Sequence, residues 1–147
     1  MVVQRVARRR LAVTLIEMMV VVLIIGVLAL IIIPRVINAG RKAKETQLRG
    51  DLKHLRDAIE RFQARADALP PQLADIVAPN GDAISADKDA NGVSIDRAGY
   101  DGPYLGGKLP KDPFTGQADW DYEATTGEVH SSSTLTSLDK TTAYNTW

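Results

Sequence analysis

Residues 8–34 read RRRLAVTLIEMMVVVLIIGVLALIIIP, and from Met18 to Ile33 every residue is hydrophobic or glycine. The 21 residues from Val13 to Ile33 rise about 31 Å as a helix, which matches a bilayer hydrocarbon core of roughly 30 Å. Arg8, Arg9 and Arg10 stand immediately upstream, and Glu17 is the sole charge inside the span. A carboxylate near one end of such a span costs on the order of a few kcal/mol unless it is paired, so its presence implies a task. A secretory signal peptide has a shorter apolar core of about 7–15 residues and a small-x-small cleavage site. Here the run is longer, and Ile37-Asn38-Ala39 carries a bulky residue two before its end. Arg9-Arg10 suits a twin-arginine signal, but the apolar run is too long for one. A plain single-pass anchor fits the length and the flanking arginines and leaves Glu17 without a role.

The run Val13-Thr14-Leu15-Ile16-Glu17-Met18-Met19-Val20-Val21-Val22, behind a short basic leader, resembles the N-terminus of type IV pilins and type II secretion pseudopilins. The resemblance covers roughly residues 5–70. It implies that a prepilin peptidase cuts between Ala12 and Val13 and methylates the new amine on Val13. It also implies that Glu17 governs assembly, and that Gly26 and Pro34 lie where the helix can loosen when subunits enter a filament. Ala12 stands where the family usually has Gly, which bears on cleavage, and Val13 stands where it often has Phe.

After Pro34 the all-round apolar pattern gives way to an amphipathic one. Leu48, Leu52, Leu55, Ile59, Phe62, Ala66 and Leu69 recur at spacings of four and three, with Arg49, Lys53, Arg56, Asp57, Glu60, Arg61 and Arg65 around them. That is one apolar helix face suited to packing on a sheet from the C-terminal half; a coiled-coil seam would run for only about three heptads. Pro70-Pro71 is expected to end the helix, giving one helix of about 55 residues with Gly26, Pro34 and Gly40 as weak points. The expected organisation is a leader over 1–12, a membrane or filament-core helix over 13–34, an amphipathic helix over 35–69 and a small β-rich head over 70–147. In that head Gln72 to Val77 reads as a helical turn, and Pro79-Asn80-Gly81 and Ala90-Asn91-Gly92 read as turns. Ala118–Glu123 and Glu128–Ser131 read as a hairpin about Thr125-Thr126-Gly127, and the Ser/Thr-rich tail from Ser131 reads as loop. Leu109-Pro110-Lys111-Asp112-Pro113-Phe114 resembles the L-P-x-D-P-aromatic segment of the major type II pseudopilin. The fold class expected is α+β, pilin-like.

The 147 residues contain no cysteine, which excludes a disulfide framework. Net charge is zero but segregated: residues 35–65 carry nine Lys/Arg against four Asp/Glu, and residues 67–147 carry five against 13. A basic stem and an acidic head would attract neighbouring subunits to one another, or each is simply a solvated face. Asp87-Lys88-Asp89-Ala90-Asn91-Gly92, with Asp96 following, has the start of an oxygen-rich calcium loop, with Asp87, Asp89, Asn91 and Asp96 as ligands. Ala98 stands where an EF-hand needs its bidentate Glu, so the alternative is a polar turn built on Asx hydrogen bonds. The family's own calcium site is a Gly- and Asp-rich C-terminal loop, which Ser131–Trp147 lacks. His54 and His130 are the two histidines, and Ser131 to Ser133 beside His130 is too common a combination to mark a nucleophile and base. Basic residues without interleaved aromatics do not suit nucleic-acid binding.

The resulting expectation is a structural subunit rather than an enzyme. It would sit in the bacterial inner membrane with its N-terminus cytoplasmic and its head periplasmic, until it joins a homo-oligomeric type II secretion pseudopilus. Its partners would be other pseudopilins, the prepilin peptidase, the inner-membrane secretion platform and membrane lipid. A type IV pilus or competence pseudopilus subunit is the alternative in the same class, and a membrane-anchored periplasmic binding module is the alternative outside it.

Overall fold

The computed structural model describes residues 13–147, apart from the side chains of residues 33–35. The chain divides into two compact units, Met1–Ala39 and Gly40–Trp147, and one helix, α1 (Leu15–Ala66), contributes to both. The leader over 1–12, with Ala12, lies outside the described residues.

In the first unit, α1 leaves its apolar side chains uncovered: Leu15, Met19, Leu23 and Leu30 are all more than 60% exposed, and none of its most apolar window is buried. β-Branched Val and Ile are indifferent helix formers in water. In a hydrocarbon layer the helix is favoured because every backbone polar group must be satisfied within the segment. The helix continues past Gly26, Pro34 and Gly40 without interruption. A Cβ on Gly26 would meet nothing within 4 Å, so this glycine meets no packing demand within the chain.

The second unit is built on the rest of α1. Leu48, Leu52, Leu55, Ile59, Phe62 and Ala66 are each at most 4% exposed, which is the stripe read from the spacing. The helix ends at Ala66, three residues before Leu69, and Asp67 takes the left-handed conformation at φ 55°. The stop is therefore a left-handed C-terminal cap, and Pro70-Pro71 follow it rather than cause it. Asp96 N–H donates to Ala66 O at 2.8 Å, satisfying one of the carbonyls that a helix end leaves open.

The expected hairpin forms, but it is short. β1 (Asp121–Glu123) pairs antiparallel with β2 (Glu128–His130), with Tyr122 opposite Val129. Its turn needs Gly127, which has φ 77° and whose Cβ would lie 2.8 Å from Leu69 Cδ2. Two three-residue strands cannot cover about five helical turns, so irregular chain does most of the covering. Phe62 meets Tyr100 edge-on at 5.5 Å, and Tyr100 meets Tyr104 at 5.2 Å. Burial pushes the Tyr104 hydroxyl up to about 12. The segment read as a helical turn forms a short 3-10 helix, Leu73–Val77. The tail is irregular but not loose: Tyr144 is fully buried and stacks on Phe114 with ring centres 4.1 Å apart.

One group on α1 is poorly served. Asp51 Oδ2 is buried with no hydrogen-bond partner. Burial raises its carboxyl above the ordinary range; Gln47 and His54 oppose the shift, and nearby Asp112 adds to it. A folded-state value above the unfolded one means that stability present at low pH is lost as pH rises through the folded value. Asp51→Asn should therefore raise unfolding stability at pH 7, by an amount that solvent screening keeps small. The gain should shrink towards pH 3, as urea titrations at the two pH values would show.

Candidate functional site

Two regions carry the residues singled out by the sequence. At the N-terminus, Thr14 precedes the first helical residue, and its Oγ1 accepts from Glu17 N–H at 3.3 Å. Thr14-Leu15-Ile16-Glu17 thus has the spacing of a capping box, with the Thr half formed and a carboxylate in the first turn, where the helix dipole favours it. The spacing was legible in the sequence as a helix start, an aspect that the apolar run obscures. Val13 lies before the cap and outside the helix, 58% exposed. Glu17 itself is exposed, among apolar neighbours that are exposed too.

The second region is the loop over 87–96. Asp89 is 8% exposed; its Oδ1 accepts from Asn91 N–H at 2.9 Å and Val93 N–H at 2.8 Å, and its Oδ2 from Leu69 N–H at 3.3 Å. Asp87 pairs with Arg97 at 2.8 Å, and Asp96 Oδ1 accepts from Ala98 and Gly99 N–H, both at 3.1 Å. The Asn91 side-chain amide donates to Thr125 O at 3.0 Å. Asp89 and Asp96 thus cap the turns that follow them, in the manner of an Asx turn, while Asp87 pairs with a guanidinium and Asn91 donates across to another loop. Among the described residues no group of three or more His, Cys, Asp or Glu is gathered to hold a metal ion.

Several anchoring residues were not singled out by the sequence reading. Asp112 of the L-P-K-D-P-F segment is fully buried; its Oδ1 accepts from Phe114 N–H at 2.7 Å, and its Oδ2 accepts from Ser131 Oγ. Asp75, 4% exposed, accepts from Gln72 N–H and Ser85 N–H, both at 2.9 Å, and from Ser85 Oγ at 2.7 Å. Glu45 on α1 accepts from Leu138 N–H at 2.6 Å and from the Tyr144 hydroxyl at 2.7 Å, while Arg41 donates to that hydroxyl and to Thr136 O. The available signal was an acid or aromatic in a loop, and such residues look like solvated surface until their partners are known. His54 is exposed, and His130 Nδ1 lies 2.7 Å from Trp147 O.

A long helix with an exposed apolar N-terminal half and a small antiparallel hairpin defines a pilin-like α+β protein. Residues 7–33 match the prokaryotic N-terminal methylation motif. The chain is 40% identical over 57 residues, 39% of its length, to the type II secretion system core protein G of Pseudomonas aeruginosa. That similarity covers 40% of the relative. No solved structure matches the chain. The motif and the similarity each cover less than half of the chain, and the apolar helix within the motif fits membrane anchoring.

Asp89→Ala strands three backbone N–H groups in a mostly buried site, and should lower unfolding stability by about 2–4 kcal/mol. Urea denaturation with and without millimolar calcium checks this. A calcium-dependent rise in melting temperature that vanishes in Asp87→Ala, Asp89→Ala would instead assign the ion to this loop.

Proposed function

We propose that the chain is a non-catalytic structural subunit of a type II secretion pseudopilus. It is held in the bacterial inner membrane with its head in the periplasm, and is drawn into a filament that helps to move proteins out of the cell. The observation that carries this is Glu17, in the first turn of an uncovered apolar helix inside the matched methylation motif. The name of the similar Pseudomonas protein supports the secretion system over an adhesive pilus.

Cleavage after Ala12 would free an amine on Val13, which N-methylation leaves cationic. In a bundle of apolar helices a neighbour's amine can meet the Glu17 carboxylate where the dielectric is low. A paired charge there offsets its desolvation, whereas a lone one costs several kcal/mol. A subunit one step out of register would leave both groups unpaired, so the pair sets register as well as attraction. An uncut leader supplies no amine at that depth, which makes cleavage the gate to assembly. The prepilin peptidase, other pseudopilins and the inner-membrane secretion platform are the partners that this mechanism requires.

N-terminal sequencing of membrane-extracted protein should begin at Val13, N-methylated, with Ala12→Gly cleaved faster. Glu17→Ala should be inserted and cleaved normally while filaments and secretion fall by about ten-fold or more, the equivalent of one lost buried pair. Normal filaments from Glu17→Ala as the sole copy would sink the pairing mechanism.

A further inference from the structure

Two exposed faces of the second unit carry charges of opposite sign. On α1, Lys42, Arg49, Lys53 and Arg56 are all exposed; at 100° per residue they fall within about 60° of one another, a stripe about 21 Å long. The stripe borders a groove lined by Arg49, Lys53, Arg56, Asp57, Glu60 and Trp147. Trp147 forms one wall, its ring 4.2 Å from the Arg49 guanidinium, and Arg56 donates to Trp147 O at 2.7 Å.

The hairpin is the counterpart. Asp121 and Glu123 lie on one side of β1 and exposed Asp119 precedes it at the same spacing, Trp120 is buried and Tyr122 half-buried, and the register sets Glu128 directly across from Glu123. All four carboxylates are exposed. Thr115 and Ser132 hold Asp119, and Thr125 holds Glu123, below the usual carboxylate range, so the face stays charged. Like charges placed opposite each other on a hairpin destabilise it, a cost that an incoming cation row would relieve. Among the described residues the Lys/Arg–carboxylate pairs, Arg65–Asp101 and Arg97–Asp87, involve neither face, while His130, across from Asp121, lies 3.8 Å from Glu128.

We propose that the acidic face of the β1–β2 hairpin of one copy docks on the basic α1 stripe of a second copy. The proposal rests on the filament reading and specifies one of its contacts. The spacings agree: Arg49 to Arg56 spans about 10 Å along the helix, and Asp119 to Glu123 about 13 Å along the strand. Charge complementarity of this kind fixes partner and register. Exposed pairs are individually weak, so the contact works as a row.

Because the chain has no cysteine, Lys53→Cys with Asp121→Cys gives a clean probe in the full-length protein in cells. Oxidation should produce a ladder of disulfide-linked oligomers, absent from either single variant. Separately, Lys53→Glu and Asp121→Lys should each lower the yield of sheared filaments by about ten-fold, and combining them should restore most of it. Normal filaments with no 53–121 ladder, or a double reversal as defective as the singles, would overturn the docking while leaving the filament reading intact. Absence of filaments from the unaltered chain would overturn both.

Discussion

The head depends on a few buried carboxylates that satisfy the backbone of chain with no regular structure. The apolar stripe from Leu48 to Ala66 demands a cover, and the hairpin supplies only six strand residues. Irregular segments must do the rest, and their N–H groups cannot be buried without acceptors. Asp75, Asp89 and Asp112 provide those acceptors, each below a tenth exposed and each receiving two or more hydrogen bonds. An ionised acceptor makes stronger hydrogen bonds than a neutral one, which suits a head with little sheet ladder and no disulfide.

The same device links the head to its helix. Asp89 and Asp96 tie the 87–96 loop to the end of α1 through Leu69 N–H and Ala66 O. Glu45 and Arg41 tie the C-terminal tail to α1 through Tyr144. Loop and tail are fastened at opposite ends of the amphipathic stretch, so its apolar face is covered from Leu48 to Ala66. Of the residues that resemble calcium ligands in sequence, Asp89 and Asp96 act as acceptors for the chain's own amides, and Asp87 is paired with Arg97.

The first unit shows the reverse condition. Its helix has an apolar surface with no cover from the chain and one acid within it. Water is the wrong solvent for such a surface, and lipid or the same surface on neighbouring copies is the right one. The proposed assembly follows: the span needs copies around it, and the sorted charges of the second unit give those copies a preferred register.

What the sequence determined by itself is what depends on periodicity and composition. The uncovered span, the position of Glu17, the stripe from Leu48 to Ala66 and the hairpin about Gly127 were all legible, because each is a local pattern with one physical interpretation. The helix stop at Asp67, the Thr14 cap and the duties of Asp75, Asp112, Glu45 and Tyr144 were not read from it. A carboxylate in a loop has the same local signature whether it faces water, a metal ion or a backbone amide. Only the tertiary structure, by bringing Asp89 against Leu69, Asp112 against Ser131 and Glu45 against Tyr144, decides which of these it meets.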